Sequence, residues 1–260
     1  MAPTPYAFVS CHVERPLDDA VWSAFARFQA RRPGGFPIAA LLRPPDERED
    51  DVLWLARARE AATGGPLGHH THWGGETHAR PAGGDPAERV RREGGWIRAQ
   101  GLDPRFFCGG GWYLDADVAA AVADLGYVDA TATAYRQRYL AAGAPRVQLP
   151  EPTWLRLDDG RRVLELPATH SLGMLVRSLA GRLPRVVHVH FHDWDLLDRR
   201  RRMALTLALR ALRLRRRPLD LAQAAERAAS EATEVLFGQV AQIDLAPGGQ
   251  QAPLAGRADG

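Results

Sequence analysis

Short apolar runs alternate along the chain with longer stretches of helical periodicity. Residues 6–14 have the composition of a strand, and Asp18 and Asp19 stand as N-cap candidates before the amphipathic run 20–30. Residues 36–42 predict a second strand. Residues 50–62 predict a helix ended by Gly64 and Gly65. A third strand is expected over 67–72, a helix over 86–100, a short strand at 106–108, a helix over 115–125 and a strand entry at 127–131. Residues 164–167 and 186–192 complete the strands, with helices over 171–183, 204–217 and 219–236.

Six or seven short strands separated by helices predict an α/β protein with a parallel sheet. Reactive side chains cluster just after the strands, as at the C-terminal mouth of a barrel. No glycine-rich phosphate fingerprint follows the first strand, which argues against an open dinucleotide-binding sheet. With no repeat or linker in view, one domain is expected over 1–245. The Gly-, Pro-, Gln- and Ala-rich residues 246–260 are expected to form a poorly ordered tail.

Composition narrows the chemistry. A chain of 260 residues with 45% hydrophobic residues can bury a large core unaided. Two cysteines, Cys11 and Cys108, exclude a disulfide scaffold and a multi-cysteine zinc module. The formal charge of +3 sets up no strong field, although all 34 basic residues are arginine. The arginine runs 199–202 and 215–217, with Arg213, lack interleaved aromatics. They predict a solvated helix boundary with arginines complementing the helix end, and no nucleic-acid partner. No apolar run reaches the length of a membrane span. The start of the chain lacks a basic, signal-like region, so a cytoplasmic protein with reduced thiols is expected.

Four segments concentrate reactive groups. On a strand, His12 and Glu14 share one face and Cys11 takes the other. The pair suits a metal, or equally a solvated strand edge. Between 68 and 80 stand His69, His70, His72 and His78, with Glu76 and Arg80. If 67–72 is extended, His70 and His72 share a face, and Gly74 and Gly75 let His78 turn back toward them. No His-Glu-x-x-His pattern occurs, which argues against a zincin-type protease. His188, His190 and His192 alternate onto one strand face, with Asp193 or Asp195 placed to orient an imidazole. Gly109, Gly110 and Gly111 follow Cys108 and form either a close-approach loop or a simple flexible turn. Cys108 has no histidine beside it in sequence and reads as a buried, inert thiol.

In their order these segments resemble the polysaccharide deacetylase family (carbohydrate esterase family 4, nodulation-deacetylase-like), over residues 8–228. Residues 6–14 sit where the first family motif lies, and His70-Thr71 is similar to the start of the histidine motif. Residues 107–112, followed by a helix and by Leu125-Gly126-Tyr127-Val128-Asp129-Ala130-Thr131, resemble the third motif with its succeeding helix and strand. Glu165-Leu166-Pro167 resembles the Glu-x-Pro strand. Phe191-His192-Asp193-Trp194-Asp195 is similar to the late histidine strand in its allantoinase-like form.

The resemblance implies a distorted (β/α) barrel of about seven parallel strands. It also implies removal of N- or O-linked acyl groups from a carbohydrate or glycan precursor, with one divalent metal, usually zinc. Three departures stand out. The paired aspartates of the first strand are absent: Glu14 takes the ligand place beside Val13, or, shifted by two residues, His12 takes it beside Cys11. Gly74 replaces the second histidine, so His72 or His78 must substitute, and the third-motif arginine is Cys108. The implied ligand pool is His12, Glu14, His70, His72 and His78. Glu14 is the implied base if it is not a ligand, and His192 the acid, oriented by Asp195 or Asp193. Trp73, Arg80, Trp112 and Trp194 are the implied sugar-binding residues. An allantoinase-like hydrolase of non-sugar amides, or an inactive barrel that binds a glycan or partner, are the rival expectations.

Overall fold

Strand β1 (Tyr6–Val13) is buried along its whole length. Helix α1 (Asp19–Arg31) follows; it begins where the Asp18 carboxylate accepts from Ala20 N and Val21 N, and ends where Arg32 turns left-handed. The same unit, an apolar strand and then an aspartate-capped helix, recurs three times. It gives β2 (Ile38–Leu42) with α2 (Asp51–Gly64), β3 (Leu67–Thr71) with α3 (Pro86–Ala99), and β4 (Phe106–Gly109) with α4 (Ala116–Asp124). Asp50, Asp85 and Asp115 are the three caps. After β5 (Val128–Asp129) come β6 (Pro145–Val147), β7 (Thr153–Arg156), β8 (Arg162–Glu165), β9 (His170–Ser171) and α5 (Leu172–Ser178). The chain continues through β10 (Val186–His192), α6 (Arg199–Arg213), β11 (Arg217–Pro218), α7 (Leu221–Glu231), β12 (Thr233–Leu236), α8 (Phe237–Val240) and β13 (Ala241–Ile243). This computed structural model describes residues 4–74, 81, 83–136 and 143–243.

Strands β5, β4, β3, β2, β1 and β10 lie side by side in that order, all parallel. Residues 162–171 close the ring. Their first half, β8, pairs with β5 at Asp129 and Glu165, and Leu166 N and Ala168 N donate to Asp129 O and Ala132 O. Their second half, β9, pairs with β10, and Thr169 N donates to His188 O. One extended segment thus touches both free edges. The result is a distorted α/β barrel of seven staves, with β8 and β9 sharing one of them.

Alternation sorts the side chains. Ala7, Val9, Cys11 and Val13 of β1 face outward into a core with α1, α2 and α6. Tyr6 and Phe8 face inward, where Leu221, Ala224 and Ala228 of α7 pack against them and fill the N-terminal end of the barrel. The C-terminal end is left to polar residues, as in other barrels.

Some elements depart from the sequence pattern. Helix α6 starts at Arg199 and not at residue 204, because Asp198 caps it through Arg200 N and Arg201 N. The expected helix 219–236 stops at Glu231, and Thr233–Leu236 pairs instead with β7. The β7–β8 hairpin and the β6–β13 pair have no counterpart in the sequence pattern, since their short strands lack clear alternation. The helix expected over 171–183 ends at Ser178. The tail 246–260 lies outside the described residues. Among the described residues no helix is long and apolar enough to cross a membrane.

Candidate metal centre and active site

Four strand ends build the site: β1 delivers His12 and Glu14, β3 His70 and His72, β4 Cys108, and β10 His190 and His192. His12 and His192 are register partners on adjacent strands. Cys11 points away into the outer core, and burial together with Asp193, Asp195 and Glu14 pushes its thiol well up. The alignment that gave Cys11 the base position is therefore corrected by strand alternation.

Glu14 sits at the centre. Its Oε1 lies 3.6 Å from His72 Nε2, 3.9 Å from His70 Nε2 and 3.5 Å from His192 Nε2, while Oε2 accepts from Trp194 Nε1 at 3.1 Å. Burial alone would raise its carboxyl. The closeness of His70 and His72 and the charge of His192 overcome that and hold it well below the usual carboxylate range. His70 Nδ1 donates to Cys108 O at 2.9 Å, which leaves Nε2 as its lone-pair nitrogen, 3.2 Å from His72 Nε2. Burial brings His70 down to about 4, so the ring is neutral near pH 7. A fixed tautomer, a neutral imidazole and an ionised carboxylate are what a divalent ion requires. Glu14, His70 and His72 place their ligand atoms within 4.8 Å of one another, and the donor set fits such an ion.

A second set shares His70: His12, His70 and Cys108. Cys108 Sγ lies 3.6 Å from His12 Nε2, a juxtaposition of residues 96 positions apart. His70 has one lone-pair nitrogen, so the two sets cannot each hold an ion at the same time. Burial, reinforced by Asp129 and Glu165, pushes the Cys108 thiol well up and keeps it protonated. The carboxylate set takes up an ion without first losing a thiol proton. His12, lowered by burial and by the neighbouring imidazoles, lies with its ring 4.6 Å from that of His70 and 5.2 Å from that of His192.

His192 stands on the opposite wall. Its Nδ1 is 3.8 Å from Asp195 Oδ2, which also accepts from His192 N at 3.0 Å, and Asp195 Oδ1 is 2.5 Å from Arg201 Nη1. Burial would lower His192, but Asp195 and Glu14 together raise it. Asp193 accepts instead from Arg15 N and Trp194 N, both at 2.8 Å, and ties the loop after β1 to the loop after β10. Of the two carboxylates expected to orient His192, the geometry favours Asp195.

Below the mouth the polar groups satisfy one another. His188 Nδ1 donates to Leu166 O at 3.0 Å, and Nε2 accepts from Ser10 Oγ at 2.8 Å, as befits a core histidine. Asp129 and Glu165, buried beneath Cys108, share a hydrogen bond. Asp129 Oδ1 accepts from Ala130 N, Thr131 N and Thr131 Oγ1, while burial and the Asp129 charge push Glu165 well up, so Glu165 holds the proton. Sequence reasoning placed both on motif strands but missed that they are a pair.

Trp112 rests against His12 and His190, ring centroids 5.3 and 4.8 Å away, with the uncommon φ of 63° for a non-glycine residue. The tight turn beneath needs Gly109, where a Cβ would run into Tyr113 O. Trp194 is exposed and stacks on His192 at 5.1 Å. Trp73 lies elsewhere: it is buried, donates to Gly110 O at 2.7 Å and braces the loop, so it presents no face to a sugar. His78 and Arg80 lie outside the described residues. Beside the site opens a cavity of about 550 Å³ whose lining includes His190, His192, Asp195, Arg177, Arg200 and Arg201.

No protein-family model and no curated protein matches the chain. Solved structures do. A 4-alpha-glucanotransferase from Thermococcus litoralis superposes with a TM-score of 0.54 at 10% identity, over 89% of this chain and 41% of that one. The chain thus spans about two fifths of that structure, and the likeness is one of fold. A family 4 carbohydrate esterase from Streptomyces lividans, in complex with acetate, aligns at 10% identity with a TM-score of 0.45, over 85% of this chain and 90% of that one.

Proposed function

We propose that the protein is a metal-dependent hydrolase that removes an N- or O-linked acyl group from a carbohydrate or glycan precursor. The observation that carries this reading is the convergence of Glu14, His70 and His72 at the C-terminal mouth of the barrel, opposite His192. A divalent ion held by these three residues, zinc by the imidazole-rich donor set, would polarise the acyl carbonyl and lower the pKa of water.

The chain's own residues divide the remaining work. The hydrogen bond from His70 Nδ1 to Cys108 O holds its Nε2 toward Glu14. Two proton acceptors face the same space: ionised Glu14 and neutral His12. With Glu14 committed to the ion, His12 is the acceptor left for the proton of the attacking water. His192, whose pKa the neighbouring Asp195 raises, would give its proton to the departing nitrogen or oxygen. Trp112, against His12 and His190, and Trp194, stacked on His192, are the aromatic side chains nearest to a sugar bound there.

The test is acetate release from a panel of N- and O-acetylated sugars by protein loaded with zinc, by chelated protein, and by chelated protein reloaded. Release that follows the metal supports the reading. A metal-loaded protein that releases nothing from any acyl sugar, yet opens linear or cyclic amides, would transfer the site to non-sugar substrates.

A further inference from the structure

The cavity beside the candidate site has a chemistry that hydrolysis of a neutral acyl sugar does not call for. Arg177 of α5, together with Arg200 and Arg201 of α6, lines it along with His190 and His192. Arg201 is engaged by Asp195 and lies over the Trp194 ring. The side chains of Arg177 and Arg200 are exposed and have no hydrogen-bond or ion-pair partner among the described residues, and Arg177 Nη1 would lie 3.4 Å from a Cβ on Gly173 at the cavity wall.

The start of α6 adds an independent observation. Arg199, Arg200, Arg201 and Arg202 occupy its first turn, which contains no acidic residue. This is the positive end of the helix dipole, where cations are disfavoured. The sequence pattern suggested arginines complementing a helix C-terminus. Arg210 and Arg213 do so in the last turn, but the run 199–202 stands at the wrong end. Asp198 and Asp195 offset part of this charge, and Arg202 turns to Leu196 O. Among the described residues the side chains of Arg199 and Arg200 are left without such a contact, and a local rule broken in this way points to function.

We infer that this cavity is a binding site for an anionic oxyacid group, a carboxylate or phosphate on the sugar that is deacylated, held by Arg177 and Arg200. The inference rests on the proposed hydrolase reading for its statement about substrate. Guanidinium groups suit such oxyanions because their paired N–H donors match two oxygens. The acid group would sit next to His192 and orient the acyl group toward Glu14, His70 and His72.

The test uses metal-free full-length protein, so that binding is read without turnover. Calorimetric titrations compare glucuronate, glucose 6-phosphate and neutral methyl glucoside. At least one acidic probe binds, the neutral one does not, and the preferred acid identifies the group. Arg177→Gln with Arg200→Gln weakens acid binding about ten- to a hundredfold, the loss expected for charged hydrogen bonds. Arg210→Gln, on the same helix but in its last turn, leaves binding unchanged. The inference is overturned if the acidic probes bind no better than the neutral one, if the double variant binds as the parent does, or if Arg210→Gln weakens binding equally. Acid binding that depends on Arg177 and Arg200, in a protein that releases no acyl group, would keep this site and remove the hydrolase reading. Acyl release without acid binding would do the reverse.

Discussion

Glu14 Oε1 lies 3.5 Å from His192 Nε2 and joins the end of the first barrel strand to the end of the last. Each group tunes the other. The carboxylate helps His192 keep its proton, and the imidazolium helps keep Glu14 ionised. A base-like and an acid-like group thereby coexist at one pH, the division of labour that hydrolysis of an acyl bond needs.

The two ligand sets make opposite forecasts. If Glu14, His70 and His72 hold the ion, Glu14→Gln lowers zinc affinity at least about a hundredfold, beyond the usual cost of losing a supporting group. Cys108→Ser then changes it little. Competition with a metal-indicator dye distinguishes the two, and a large loss in Cys108→Ser would hand the ion to His12, His70 and Cys108.

His192 as the proton donor predicts a pH limb. Its pKa is raised, so activity is present at lower pH and is lost as pH climbs through that raised value. Asp195→Asn removes a raising partner and moves the alkaline limb of kcat to lower pH. His192→Gln lowers kcat by about a hundred- to ten-thousandfold with metal content intact. An unmoved limb in Asp195→Asn would assign it to another group.

His188 is assigned to stability. Its folded pKa is brought down to about 4 by burial. The unfolded chain therefore binds more protons between about pH 6.5 and 4. The stabilisation is full above about 6.5 and is lost as pH falls toward 4, at about 1.4 kcal/mol per pH unit. In His188→Gln this share of the slope disappears, so the stability gap between variant and parent narrows toward pH 4. Urea melts across that range measure it, and parallel slopes would contradict the assignment.

Gly34 has φ 67°, and a Cβ there would meet Leu209 O of α6 at 2.5 Å. Gly34→Ala is expected to cost at least about 1–3 kcal/mol, from the left-handed backbone and the clash with main chain. A thermal melt within a degree of the parent would show that α6 shifts freely.

Much of this is legible in the chain itself. Strand alternation alone places His12 with Glu14, His70 with His72, and His188, His190 and His192 inside a barrel. Local sequence cannot give contacts made across the ring. Cys108 looks inert because His12, its neighbour in space, sits on another strand. Trp73 looks like a sugar platform because sequence does not say which aromatic is needed under a glycine turn. The arginine run reads as a solvated helix boundary and is one, but its place in the first turn of α6 depends on where Asp198 starts the helix. The double use of residues 162–171 is hidden because one strand pattern serves two partners.

The pairing of β1 with β10 sets a timetable for synthesis. The Val9–Val13 part of one edge of β1 can be covered once residues 38–42 emerge, but the other edge waits for residues 186–192. At roughly 5–20 residues per second the ribosome takes about ten to thirty seconds to deliver them. Once residue 72 has emerged, the nascent chain carries Glu14, His70 and His72 together with an unsealed β1 edge. Metal capture can therefore precede ring closure, while the proton donor His192 arrives only with the strand that seals it.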